Sequence, residues 1–256
     1  MSNNGEIQMT SRATAPIHTT ISIPAGRLAI TAIVAYQILL IALIFLRPDL
    51  DPSWHTISEW EIGRYGWLMS GALVISGLSY AALLVMLASQ VRGVMGHVGM
   101  CVLLICAAGA CGAGVFTTDP MPIHPPLSTT GTLHVIFGTS QLVLLPFAAL
   151  FINLSLARKN QRWASVRPLL LWTSGLPLFG FVAFALYSAV FVFPMGEQAY
   201  GPGVNIGWPP RFAFLTYMLW VVSLARQGIK RSPLARSEAS LTHGAHQHVR
   251  TSLLGV

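Results

Sequence analysis

The sequence predicts an all-α integral membrane protein, a bundle of about six transmembrane helices. Hydrophobic residues make up 54% of the chain and charged residues only 9%, and the mean hydropathy is +0.63. Several apolar runs approach the ~20 residues that a helix needs to cross ~30 Å of hydrocarbon. A soluble domain of this length would interrupt such runs with charges every few residues. The composition therefore indicates a chain that lies in a bilayer.

Six spans follow in order along the chain, with five or seven as the alternatives. The first runs from Leu28 to Leu46 and lacks the small-residue cleavage site of a signal peptide. The next four cover approximately 65–88, 94–116, 133–156 and 168–193. The sixth is the weakest, because its apolar core from Phe212 to Leu224 is short and reaches across the bilayer only if Gly207 to Arg211, with two prolines, is included. The predicted domains are a polar N-terminal tail (1–26), the transmembrane domain (27–226) and a polar, disordered C-terminal tail (227–256).

Helix three carries small residues at four-residue spacing, a pattern that lets helix backbones approach closely in lipid. The pairs are Ala108 with Gly112, Gly109 with Ala113, and Ala110 with Gly114. We therefore expect helix three to be central in the bundle.

The distribution of charges predicts the orientation in the membrane. If both termini are cytoplasmic, twelve of the fifteen basic residues lie on that side, and the exceptions are Arg47, Arg64 and Arg211. Six of the eight acidic residues fall on the opposite side. The expected location is the plasma membrane, with both termini in the cytoplasm and an acidic outer surface.

The net charge of +7 does not indicate a nucleic-acid partner, because the basic residues lie between apolar runs and form no single surface. The sequence also lacks the phosphate-binding, dinucleotide-binding, zinc-protease and serine-hydrolase motifs. The cysteines Cys101, Cys106 and Cys111 are spaced so that a helix scatters them around its surface, and no metal site is predicted. The partners expected are the lipid bilayer and a small polar ligand or lipid headgroup, and the cofactor is unknown.

Polar residues converge on the outer end of the predicted bundle. Glu59 precedes helix two, Asp119 follows helix three, His134 opens helix four and Arg211 opens helix six. Because His134, Gly138 and Gln141 follow the i, i+4, i+7 spacing, they share one helix face. The predicted ligand-binding residues are therefore Glu59, Asp119, His134, Gln141 and Arg211.

Arg211 is expected to lie inside the hydrocarbon, roughly 20 Å above the cytoplasmic interface at 1.5 Å per residue. A buried arginine needs a partner there, and Asp119 is the first candidate and Glu59 the second. Each predicted residue also has a structural interpretation. Glu59 and Glu61 could be solvated loop acids, Asp119 a turn residue, His134 a helix brace and Arg211 a side chain that reaches outward to the interface.

The sequence resembles a family of prokaryotic multi-pass membrane proteins, the domain of unknown function DUF998. The shared motifs are Ile57-Ser58-Glu59, Tyr65-Gly66-Trp67-Leu68-Met69, Gly114-Val115-Phe116 with Asp119-Pro120, Gly131 with Leu133-His134, and Arg211. The resemblance covers about residues 28–226, and Thr117 stands where family members often have proline. It implies a six-helix fold with Glu59, Asp119, His134 and Arg211 as the polar signature, but no activity.

Three functions remain open from the sequence. The first is binding of a small ligand or lipid headgroup, with a relation to transport less favoured because the chain shows no convincing repeat. The second is a structural or accessory subunit whose charges lock helices together. The third is a metal-assisted hydrolase, which is similar to the membrane ceramidase and adiponectin-receptor superfamily. That superfamily needs three histidines, so His55 or His124 would have to approach His134. Whether the chain is an enzyme stays open.

Overall fold

The fold is a ring of six long helices, seen in a computed structural model that describes residues 21–121 and 126–232. The helices are α1 (Ile23–Leu46), α2 (Gly66–Leu87), α3 (Gly93–Val115), α4 (Thr129–Lys159), α5 (Arg167–Tyr187) and α6 (Trp208–Lys230). The structure contains six helices that are long and apolar enough to cross a membrane, and the described part of the chain has no strand. The predicted all-α, six-helix fold is confirmed.

Each helix packs against the next one in the chain, and α6 closes the ring against α1. Glycines mark the close approaches between neighbours. Gly77 of α2 lies against Ala107 of α3, and Gly180 of α5 lies against Thr216 of α6. A Cβ at either glycine would collide with the neighbouring helix, so these positions allow the short interhelical distance.

The small residues of α3 allow close packing against both neighbouring helices, α2 and α4. Gly109 and Gly112 lie against α4, and Gly114 lies against the carbonyl oxygen of Ser70 on α2. Several large side chains of α3, such as Leu104 and Ile105, are exposed on the outside of the ring. The close packing was predicted correctly, but the central position was wrong, because α3 is one member of a ring that has a cavity inside it.

The first and last helices are longer than their apolar runs predicted. α1 begins at Ile23 because Ser22 accepts a hydrogen bond from the amide of Ala25 and a proline is favourable in the first turn. α6 begins at Trp208, also with prolines in its first turn, and continues to Lys230. The predicted boundaries at 26 and 226 therefore fall inside helices. The rest of both predicted tails, 1–20 and 233–256, lies outside the described residues.

A proline inside α4 creates a contact with α6. Pro146 has no N–H for the carbonyl of Leu142 four residues earlier. The hydroxyl of Tyr217 on α6 donates to this carbonyl at 2.6 Å. The hydrogen-bond acceptor that the proline leaves unused in α4 is thereby satisfied by a neighbouring helix, which is how such prolines are tolerated in membranes.

The two ends of the ring differ in charge. One end, which we call the Glu61 end, holds the end of α3, the start of α4 and a 3-10 turn, Ile57–Glu61, between α1 and α2. The acids of the described chain lie in the loops and turns of this end. The opposite end, which we call the Lys159 end, carries most of the basic residues, among them Arg92, Arg158, Lys159, Arg162 and Lys230.

Candidate functional site

A cavity of about 460 Å³ lies inside the ring at the Glu61 end. Its walls come from α2 to α6, from the turn before α2 and from the segment after α5. Most of the lining is apolar, and examples are Leu73, Ala113, Leu142, Phe184, Val192 and Phe214. The polar groups are His134, Gln141 and several hydroxyls, including those of Thr56, Ser58, Thr118 and Ser188. An apolar cavity of this size with a few polar groups is typical of small-molecule sites.

The segment after α5 is irregular where it lines this cavity. α5 passes into one turn of π-helix, Ser188–Val192, and then into 3-10 turns, Phe193–Ala199, in which Gly196 has a φ of 54°. Ser188, Val192, Phe193 and Gly196 all line the cavity. Single π-turns of this kind are frequent at functional sites.

His134 is held at the cavity wall by an acid that the sequence did not assign to the site. Its Nδ1 lies 3.1 Å from Oε2 of Glu61, 2.8 Å from the carbonyl oxygen of Phe116 and 3.0 Å from that of Ala113. Because carbonyl oxygens only accept, Nδ1 carries a proton and donates it into this group of oxygens. The ring is therefore fixed in one orientation, with Nε2 on the side away from Glu61.

Glu61 is fully buried, with a side-chain exposure of 0%. Its Oε2 also accepts from the amide of Thr118 at 3.4 Å, while Oε1 has no hydrogen-bond partner in the described chain. The interpretation of Glu61 as a solvated loop acid is wrong. Burying a carboxylate is unfavourable unless it is paired, and the pair here is His134.

The loop that carries Glu61 is anchored by Arg47. Nη1 of Arg47 donates to the carbonyls of Ile62 and Arg64, at 2.8 Å each. The same guanidinium forms an ion pair with Asp49 at 2.8 Å and holds the pKa of that carboxyl below its ordinary value. At the start of α2, Gly66 packs so closely on the carbonyl of Glu61 that a Cβ would not fit. These contacts fix the backbone of Glu61 beneath His134.

Gln141 lies on the same face of α4 as His134, as predicted. The side chain is 1% exposed, and its Oε1 accepts a hydrogen bond from Ser76 of α2 at 3.4 Å. Gly138 lies between the two, and a Cβ there would be 3.9 Å from Nε2 of His134. All three residues line the cavity.

Glu59 and Asp119 have local partners and do not line the cavity. Oε1 of Glu59 accepts from the amide and the hydroxyl of Thr56, which caps the 3-10 turn. The carboxylate of Asp119 accepts from the amide of Ser128, at 2.9 Å, and from its hydroxyl, at 2.5 Å. Ser128 is in turn the N-cap of α4. Both acids therefore hold turns at the Glu61 end in place.

Arg211 does not pair with Asp119 or Glu59, and this prediction is corrected. Its guanidinium carbon lies 4.3 Å from the ring centre of Trp60, and Nη1 donates to the carbonyls of His55 and Gly207 at 3.0 and 2.6 Å. Within the described chain no carboxylate lies within 4 Å, and Nε and Nη2 have no hydrogen-bond partner. The Asp119 carboxylate instead accepts hydrogen bonds from the amide and the hydroxyl of Ser128.

The structure thus brings together two of the five predicted site residues, His134 and Gln141, and adds Glu61. Sequence spacing identified the first two because they lie on one helix face. Glu61 and Glu59 lie two residues apart in the same loop, and no periodicity distinguishes which one turns inward. The nearest sequence signal is Gly66, which makes room for the Glu61 backbone.

Among the residues that the structure describes, His134 is the one histidine that lines the cavity. His55 donates from Nδ1 to the carbonyl of Asp51 at 3.0 Å, and its ring contacts that of Trp54 at a tilt of 34°. No group of three His, Cys, Asp or Glu side chains that could hold a metal ion occurs within 21–121 and 126–232. His124 lies outside the described residues. The described geometry therefore gives no support to a three-histidine hydrolase site.

The apolar helices and their closed packing define an integral, multi-pass membrane protein with a cavity at one end. The family model described as "Protein of unknown function (DUF998)" matches residues 29–227, most of the chain, so the protein belongs to the DUF998 family. No curated protein and no solved structure matches the chain.

Proposed function

We propose that this protein binds an amphiphilic small molecule or lipid in the cavity at the Glu61 end. The observation that carries the proposal is a largely apolar cavity of about 460 Å³ whose wall presents a histidine fixed by a buried acid. The apolar side chains suit a hydrocarbon segment, and the polar groups of α4 suit a head group. Binding sites for small molecules usually combine these two kinds of surface.

The buried Glu61 supports a binding role over a purely structural one. A carboxylate with no exposure destabilises the fold unless its partner compensates. The Glu61–His134 pair has the further effect of fixing one tautomer and one ring orientation at the cavity wall. In functional sites, the hydrogen bond made by one ring nitrogen commonly fixes the tautomer and the orientation of the histidine.

A cavity-filling substitution tests the proposal. Gly138 lines the cavity, and a Cβ there meets only ordinary contacts, at 3.8 Å from Ala113 and 3.9 Å from His134. We expect Gly138→Phe to fold and to fill the cavity. The matched control is Gly175→Phe on α5, because Gly175 is exposed and a Cβ there meets nothing within 4 Å.

The readout is the amount of lipid that stays bound after purification in detergent, quantified by mass spectrometry per mole of protein. Wild type and Gly175→Phe should retain the same lipid, and Gly138→Phe should retain at least about tenfold less, the equivalent of ~1.4 kcal/mol in binding. If a folded Gly138→Phe retains the same lipid in the same amount, or if wild type retains none, the binding proposal is wrong. The structural function is then favoured, in agreement with the local roles of Glu59 and Asp119.

We also propose that the Glu61 end faces outward and that both termini are cytoplasmic in the plasma membrane. The support is the excess of basic residues at the Lys159 end. A reporter enzyme that is active only outside the cytoplasm should give signal when fused after Pro52 or Val204, and none after Asn160. The reverse pattern would contradict this orientation and would open the cavity to the cytoplasm.

A further inference from the structure

The chemistry of the cavity wall restricts the head group that this site can take. Among the described lining residues there is no Lys, Arg, Asp or Glu, and His134 is the only side chain that can become charged near neutral pH. The nearby cation Arg211 is turned away onto Trp60 and is not among the lining residues. The character of the polar wall therefore depends on His134 and the acid behind it.

Only one nitrogen of His134 is available to a ligand. Nδ1 donates into the oxygens of Glu61, Phe116 and Ala113, so its proton is fixed. Nε2 makes no hydrogen bond to any described residue, and it lies near Gly138, which also lines the cavity. When His134 is neutral, Nε2 accepts a hydrogen bond, and when His134 is protonated, Nε2 donates one.

When His134 is protonated, the Glu61–His134 pair is electrically neutral without a ligand. Glu61 can balance one positive charge, and a protonated His134 already supplies that charge. An anionic head group would then bring an uncompensated negative charge into an apolar cavity, which is strongly unfavourable. A cationic head group at Nε2 would be separated from Glu61 by two hydrogen bonds and the width of the imidazole ring, so its lost hydration would be poorly compensated.

A hydroxyl group fits both protonation states of His134. It donates to Nε2 when the ring is neutral and accepts from Nε2–H when the ring is charged. We infer that the cavity takes an uncharged lipid that ends in a hydroxyl group, with this hydroxyl bonded to Nε2 of His134 and the hydrocarbon against the apolar wall. This inference rests on the proposed binding function.

Four probes of nearly equal hydrocarbon length and different head groups test the inference on the purified full-length protein. Hexadecan-1-ol, heptadecane, hexadecanoic acid and hexadecylamine are each titrated in detergent, and binding is measured by native mass spectrometry. The alcohol should bind roughly fivefold more tightly than heptadecane, which has a methyl group in place of the hydroxyl and can neither donate nor accept, the effect of one net hydrogen bond. The acid and the amine should bind at least about tenfold more weakly than the alcohol, because each brings an uncompensated charge.

Two variants and one control variant connect the result to the site. Gly138→Phe should abolish binding of all four probes, and Gly175→Phe should change none of them. His134→Leu should remove the advantage of the alcohol over heptadecane. The comparison of the four probes on wild type keeps the inference testable if His134→Leu does not fold.

The two proposals fail in different ways. If no probe binds wild type more tightly than it binds Gly138→Phe, the binding function itself is wrong. If the acid or the amine binds as tightly as the alcohol and Gly138→Phe removes that binding, the cavity binds amphiphiles but the uncharged head group is wrong. Equal affinity of wild type for the alcohol and for heptadecane would likewise contradict the hydrogen bond to Nε2.

Discussion

Removing His134 and removing Glu61 should have unequal effects on the free energy of unfolding, because the remaining partner loses a different interaction in each variant. In His134→Leu, Glu61 stays buried with 0% exposure and keeps only the long contact to the amide of Thr118. In Glu61→Leu, His134 can be neutral, and its Nδ1–H still donates to the carbonyls of Phe116 and Ala113. The first variant leaves a buried carboxylate without its partner, whereas in the second the Nδ1–H of His134 loses one of its three acceptors.

The expected magnitudes follow from this difference. Leaving one member of a buried charged pair without its partner destabilises by about 3–5 kcal/mol. Losing one hydrogen bond while the donor keeps other acceptors costs about 1 kcal/mol. The double variant Glu61→Leu/His134→Leu removes the stranded charge, so it should be more stable than His134→Leu alone. The coupling energy between the two positions should be on the order of 2 kcal/mol, within the range for residues in contact.

Equilibrium unfolding of the purified variants by SDS in mixed micelles, followed by tryptophan fluorescence, measures these free energies. The matched control is His97→Leu on α3, because His97 is exposed and its Nδ1 also bonds to a helix carbonyl, that of Gly93 at 3.0 Å. We expect this control within about 0.5 kcal/mol of wild type. Equal losses for the two single variants, with an additive double variant, would refute the charged pair.

Two further predictions concern Arg211 and the helix contacts. In a double-mutant cycle, Arg211→Met and Trp60→Leu should show a coupling of about 1 kcal/mol for the stacked guanidinium, whereas Arg211→Met and Asp119→Asn should be additive in the same unfolding assay. A significant coupling between Arg211 and Asp119 would contradict the structure. Gly77→Ala should destabilise because its Cβ would lie 2.8 Å from a carbonyl oxygen of α3, whereas Gly71→Ala, with nothing within 4 Å, should be neutral or stabilising by up to about 1 kcal/mol. Equal effects of the two substitutions would exclude the close α2–α3 contact.

The sequence by itself determined the class of fold and the approximate spans. In hydrocarbon every backbone polar group must be satisfied within the segment, so a long apolar run can only be a helix. Capping by Ser22 and prolines in the first turns extend α1 and α6 beyond their apolar cores, an extension that the sequence predicted for α6 but not for α1. These extensions depend on local backbone chemistry, which the hydropathy of a segment does not contain.

Part of the candidate site was also determined by sequence. His134 and Gln141 lie seven residues apart on one helix, and helical geometry alone places them on one face. The small residues of α3 predicted close packing for the same kind of reason. What each face packs against depends on how the helix is rotated in the ring, and rotation is set by neighbouring helices.

The choice of ion pairs was decided only by the tertiary structure. Glu59, Glu61 and Asp119 are equivalent in sequence as acids of the loops at one end of the ring. The 3-10 turn places the Glu59 carboxylate on Thr56 and the Glu61 carboxylate under His134, while the turn before α4 binds Asp119 to Ser128. Electrostatic energy depends on distances of a few ångströms and on the exclusion of water. Loop geometry sets both, and for that reason the buried pair and the contact of Arg211 with Trp60 became visible only in three dimensions.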